Sequence, residues 1–65
     1  MPATKDEIAA TFMELVCRHG LRRTAVEDVA RALHVSKKTI YQHFGSKNDL
    51  LRYGIEFWAK GQRAR

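Results

Sequence analysis

The sequence predicts an all-α domain, a three-helix head followed by the start of a fourth, connecting helix. Four helix-start signals are spread through its 65 residues. Apolar residues recur at helical spacing rather than in alternation. No four-residue run alternates apolar and polar residues between turn signals, as a half-buried strand would.

The start signals are chemical. A Ser or Thr followed three residues later by an acid is a capping box, in which the hydroxyl accepts from an early helix amide and the acid reaches back to the amide of the cap. The pattern occurs at Thr4 with Glu7, Thr24 with Glu27 and Ser46 with Asp49. A fourth start, at Ser36, lacks the acid but has Val35 before the cap and Ile40 at the fourth helical position, the arrangement of a hydrophobic staple.

From the first start, Ile8, Phe12, Leu15 and Val16 make one buried face, and Gly20 is placed to end the helix in a left-handed cap. The second helix runs from Thr24 to about Leu33, with Val26, Val29, Ala30 and Leu33 inward and His34 and Val35 forming the turn. The third is short, about Lys37 to Phe44, with only Ile40 and Phe44 as its apolar stripe, and Gly45 ends it. The fourth begins after Ser46 and shows no stop before Arg65. On it Leu50 and Phe57 continue the core, while Leu51, Ile55 and Trp58 make a second stripe that calls for a second partner.

Length and charge bound the function. A chain this short buries only about 60% of the surface of its unfolded form and builds one small core. Ligand clefts of about 300 Å³ or more need walls from several elements, so size disfavours an enzyme. Met1 to His34 carry five basic and five acidic residues. Val35 to Arg65 carry Lys37, Lys38, Lys47, Arg52, Lys60, Arg63 and Arg65 against Asp49 and Glu56, so the net charge of +5 lies in the second half.

Such a half suits a polyanion, because lysines and arginines that neutralise phosphates release condensed counterions. A membrane surface is disfavoured, since it calls for one basic face opposite one apolar face on a single helix. Cys17 is the only cysteine, which excludes an internal disulfide and fits a cytoplasmic setting. No apolar run approaches membrane-spanning length, and the acids near the N-terminus do not suit a signal peptide. No metal or other cofactor is expected: Cys17 and His19, two apart on a helix, point to different sides, and the usual ligand spacings do not occur. Cys17 has no evident base or cleft for nucleophilic catalysis.

A scaffold helix, a second helix, a tight turn and a short third helix with a narrow apolar stripe form a helix-turn-helix. The major groove, about 12 Å wide, admits one helix, which must offer a polar outer face. Lys37, Lys38, Thr39, Tyr41, Gln42 and His43 supply that face, with Ser36 at its start. Lys37 and Lys38 stand where reading helices meet base edges, and an ammonium donates to guanine O6 and N7. Thr39 suits a thymine methyl or a phosphate. Tyr41 follows Lys37 by one turn, within reach of a backbone phosphate. Lys47, in the first turn of the fourth helix, is misplaced beside a helix dipole unless an anion binds there. Arg22 and Arg23, before the second helix, are candidates for one more phosphate. The alternatives are solvated lysines at positions 37 and 38, where the helix context favours DNA contact by at least one of them, an exposed Thr39 of no special role, a Tyr41 ring that covers the core edge, and ordinary exposed loop arginines at positions 22 and 23.

The stretches Val26-Glu-Asp-Val29-Ala30 and Val35-Ser36-Lys37-Lys38-Thr39-Ile40-Tyr41-Gln42-His43-Phe44-Gly45-Ser46-Lys47-Asn48-Asp49-Leu50 resemble the tetracycline-repressor family of bacterial transcriptional regulators. The resemblance runs from about Ile8 to Leu51, and Tyr-x-His-Phe-x-Ser-Lys from Tyr41 to Lys47 is its most specific part. It implies residues 1–65 as the DNA-binding head of a homodimeric repressor on a palindromic operator, without the C-terminal domain that dimerises and binds a small-molecule inducer. The resemblance also implies phosphate contacts by Tyr41 and His43, and it places Thr24 with the backbone contacts. Leu33-His34 replaces the family's usual Ala-Gly in the turn, so a positive φ at His34 would cost about 1 kcal/mol. Ala25 stands where a phosphate-reaching hydroxyl is frequent, and Lys38 where a Gly is common. The alternative function is a helical protein-interaction module that uses the second stripe of the fourth helix.

Overall fold

The computed structural model describes the backbone of residues 4–63 and the side chains of residues 4–60. Four helices follow one another: α1 (Lys5–His19), α2 (Val26–Leu33), α3 (Lys37–His43) and α4 (Lys47–Arg63). The expectation that the helix runs to the chain end holds as far as Arg63, and Arg65 lies outside the described residues.

Capping chemistry sets most of the helix starts. At α1, Thr4 Oγ1 accepts from the Glu7 amide at 3.1 Å and Glu7 Oε1 accepts from the Thr4 amide at 2.9 Å, so both halves of the box form. Ser36 Oγ accepts from Thr39 N at the start of α3, and Ser46 Oγ from Asp49 N at the start of α4, each at 3.2 Å.

The start of α2 differs from the sequence expectation. Its cap is Ala25, one residue later than Thr24, and the returning acid is Asp28, whose Oδ2 accepts from Ala25 N at 2.9 Å. Thr24 is drawn inward instead. Its hydroxyl is buried and donates to the carbonyl of Gly20 at 2.8 Å, closing the loop between α1 and α2.

Gly20 has φ 89° and ψ 155°, open to glycine but outside the left-handed helical cap expected for it, and its amide still reaches Val16 O at 2.8 Å. His34 has φ 58° and ψ 41°, the left-handed conformation that the turn imposes on it at the cost expected for a residue other than glycine. The α3 helix stops at His43 because Phe44 swings to extended backbone, at φ −133° and ψ 136°. Gly45, expected to end it, is not in the left-handed region.

The core is built on α1, which packs against α4 on one side and α2 on the other, while α3 rests on α2. Its buried residues are Ile8, Ala9, Phe12 and Met13 of α1, Val26, Val29 and Ala30 of α2, Ile40 of α3, Phe44, and Leu50 of α4. Leu15 and Val16, expected inside, are half-buried, and Ala9 and Met13 take the interior because α4 crosses there at the buried Gly54. Leu33, Leu51, Tyr53 and Phe57 pack on the rim of this cluster. Leu51 thus leaves the predicted second stripe, of which Ile55 (52% exposed) and Trp58 (48% exposed) remain on the surface.

Candidate nucleic-acid interface

Only two side chains anchor α3 and its end. Ile40 is fully buried and Phe44 nearly so, at the i, i+4 spacing of a single stripe. Phe44 is clasped from two directions: the Tyr53 ring meets it edge-on with centroids 5.4 Å apart, and Lys5 Nζ lies 5.6 Å from its centre and 5.2 Å from that of Tyr53. Tyr53 in turn donates its hydroxyl to Asp6 Oδ1 at 2.6 Å, tying α4 to the start of α1. This hydrogen bond, with desolvation and the carboxylate's charge adding to it, raises the Tyr53 pKa above its ordinary value. The end of the short helix is therefore fixed by its neighbours and not by its own length.

With one stripe inward, the rest of α3 faces out. Lys37, Lys38, Tyr41 and Gln42 are exposed, while Thr39 and His43 are half-buried. Thr39 Oγ1 lies 3.2 Å from Ser36 Oγ, so these two hydroxyls engage each other at the helix start. Lys37 Nζ stands 3.7 Å from Glu27 Oε2 in the first turn of α2, which brings an acid into the predicted reading surface that the sequence reading had not included. The His43 ring lies tilted beside Phe44, with centroids 6.5 Å apart.

The flanking residues divide. Arg23 is exposed in the loop before α2. Lys47 is half-buried and donates from Nζ to the carbonyl of Leu21 at 2.9 Å, so the cation at the start of α4 also braces the loop that carries Arg22 and Arg23. Thr24 leaves the set of expected contacts, because its hydroxyl is buried and already spent on Gly20. Lys37, Lys38, Tyr41 and Gln42 thus share the exposed side of one helix, with Ser36 at its start. Tyr53 and Lys5, which the sequence reading missed, hold that helix in place from the far ends of the chain.

Among the described residues, no group of three His, Cys, Asp or Glu side chains is arranged to hold a metal ion. No helix among them is long and apolar enough to cross a membrane.

Comparison with known proteins agrees with this arrangement. Residues 8–53 match the model of the bacterial regulatory proteins of the tetR family. Over 47 residues the chain is 34% identical to the HTH-type transcriptional regulator TcmR of Streptomyces glaucescens, covering 72% of this chain and 21% of that one. It is 33% identical over 55 residues to the probable acrEF/envCD operon repressor of Escherichia coli K12, covering 85% and 24%. Over 45 residues it is 33% identical to the putative mycofactocin biosynthesis transcriptional regulator MftR of Mycobacterium tuberculosis, covering 69% and 23%. The chain therefore spans less than a quarter of the length of these relatives. No solved structure gives a significant match. The matched segment begins in α1, takes in the whole α2–turn–α3 unit and ends at Tyr53, the residue that clasps Phe44, and the chain belongs to the tetR family of bacterial regulatory proteins.

Proposed function

We propose that this chain is the DNA-reading head of a ligand-released transcriptional repressor, and that α3 enters the major groove of a palindromic operator. The observation that carries the reading is the outward polar face of α3, a seven-residue helix held inward by Ile40 and closed by Phe44. In this reading Lys37 and Lys38 meet base edges, Gln42 supports them, and Thr39 and Ser36 lie at the entry of the helix. Tyr41, His43, Lys47 and Arg23 hold backbone phosphates and fix the register.

The remainder of the reading concerns the whole regulator. It acts as a homodimer, so that two copies of α3 read two half-sites about one helical turn apart. The inducer binds in a C-terminal domain outside this chain, and Ile55 and Trp58 face that domain. The protein works in the cytoplasm, with no cofactor and no catalysis.

Selection of bound sequences from a random duplex pool, followed by titrations at several salt concentrations, tests the reading. The expected result is an enriched motif and an affinity that falls steeply with salt. Binding that is absent, or indifferent to salt, would refute it and would favour a protein-interaction module built on Ile55 and Trp58.

A further inference from the structure

The acid at the reading surface has a role of its own. Glu27 lies in the first turn of α2, and Lys37 opens α3. Their charged atoms are 3.7 Å apart, with the side chains 64% and 55% exposed. The neighbouring Asp28 is occupied elsewhere, by the Ala25 amide through Oδ2 and by Arg31 through Oδ1 at 3.6 Å. Among the described residues, Lys37 is the one lysine of α3 that has an acidic partner.

We propose that Glu27 is a specificity-determining residue, which cancels the charge of Lys37 towards the DNA backbone while leaving Lys37 able to read a base. This rests on the DNA-binding reading above. Sequence-independent affinity depends on the net positive charge delivered to phosphates, because that charge sets how many counterions are released. A lysine paired with a glutamate delivers almost none. Base readout depends on donors and acceptors instead. An ammonium has three N–H donors, and at 3.7 Å Glu27 offsets the charge without taking one of them in a hydrogen bond, so they stay free for guanine O6 and N7, and the carboxylate keeps lone pairs that can accept from a cytosine amino group. The pair thus lowers affinity for arbitrary duplex more than for the cognate site. Specificity is a difference between affinities, and a penalty on the wrong partner raises it as effectively as a new contact with the right one.

The whole chain and its Glu27→Gln, Lys37→Met and double variants, each checked for helicity by circular dichroism, would be titrated with random duplex and with the selected site. Glu27→Gln should raise the affinity for random duplex about three- to tenfold near 0.15 M salt and steepen the logarithmic salt slope by about one. Affinity for the selected site should rise less, so the ratio of the two falls. In the Lys37→Met background, Glu27→Gln should change both affinities by the same factor. Equal factors with Lys37 present would overturn the inference, leaving Glu27 as a bystander charge. A lowered Tm with an unchanged ratio would also overturn it, leaving the pair as a brace between α2 and α3. If the unmodified chain shows no salt-dependent binding to either duplex, the DNA-binding reading falls first and this inference with it.

Discussion

Gly54 of α4 lies so close to Met13 of α1 that a Cβ on the glycine would stand 2.9 Å from both Cγ and Sδ of the methionine. Glycine inside a helix costs about 1 kcal/mol relative to alanine, so its place here reflects the crossing of the two helices. Gly54→Val should therefore destabilise the chain by about 1–3 kcal/mol through overpacking, despite removing a poor helix former. Urea denaturation measures this. In a Met13→Ala background the cost of Gly54→Val should shrink, because the two side chains compete for one space.

The buried hydroxyl of Thr24 gives a second prediction. Thr24→Val keeps the shape but removes the donor to Gly20 O, and should cost about 1–2 kcal/mol in the same measurement, whereas Thr24→Ser keeps the bond. Neither substitution should change the affinity for random duplex. A uniform loss of affinity in Thr24→Val, at unchanged salt slope, would show that the hydroxyl has a place at the phosphates after all.

These two residues also mark what the sequence conveys and what it withholds. Helix starts are legible because capping is a matter of three or four neighbouring residues, as Thr4 with Glu7 illustrates. At α2 the local signal is Thr24 with Glu27, while the helix is capped one position later, at Ala25 with Asp28. The choice between them is made by the burial of Thr24 against Gly20, which no local pattern announces. The exposed face of α3 was legible because one narrow stripe, Ile40 and Phe44, leaves Lys37, Lys38, Tyr41 and Gln42 outside. Glu27 beside Lys37, Lys47 on Leu21 O and Tyr53 on Asp6 were not legible, since each depends on how two helices cross or how a loop returns. The last pair is 47 residues apart in the chain.

The Tyr53 to Asp6 bond predicts an alkaline limb in stability. The bond holds the phenol protonated and raises its pKa above 10.0. Its contribution is fully present below the ordinary value and is lost as pH rises through the higher value in the folded chain. The difference in Tm between the unmodified chain and Tyr53→Phe should stay constant from neutral pH to about 9 and shrink above about 10. Lysine deprotonation affects both chains alike and cancels in the difference. The absence of any difference at neutral pH would mean that the hydroxyl contributes nothing and the ring everything, and a difference that persisted unchanged well above pH 10 would mean that its contribution does not depend on the phenol proton given to Asp6.

A division of labour within the reading surface is the last expectation. Phosphate contacts position a protein on DNA, and base contacts specify the site. Lys37, at the start of α3, is placed for a base edge, whereas Tyr41 and Lys47 lie towards its other end. Lys37→Ala should cost about 1–3 kcal/mol at one base pair and relax the preference there, with a smaller effect on unrelated duplex because Glu27 already offsets its charge. Lys47→Ala should weaken binding to all sequences alike and lower the logarithmic salt slope by about one. It also removes the bond to Leu21 O, so some stability should be lost with it, and Lys47→Arg should restore the slope before it restores the Tm. Tyr41→Phe should lose affinity uniformly with little change in slope, since it removes a hydroxyl and no charge. Affinities for the selected site, a one-base variant and random duplex across a salt series decide among these. If Lys47→Ala shifted base preference while Lys37→Ala lowered every affinity equally, α3 would lie in the groove with the opposite end at the bases.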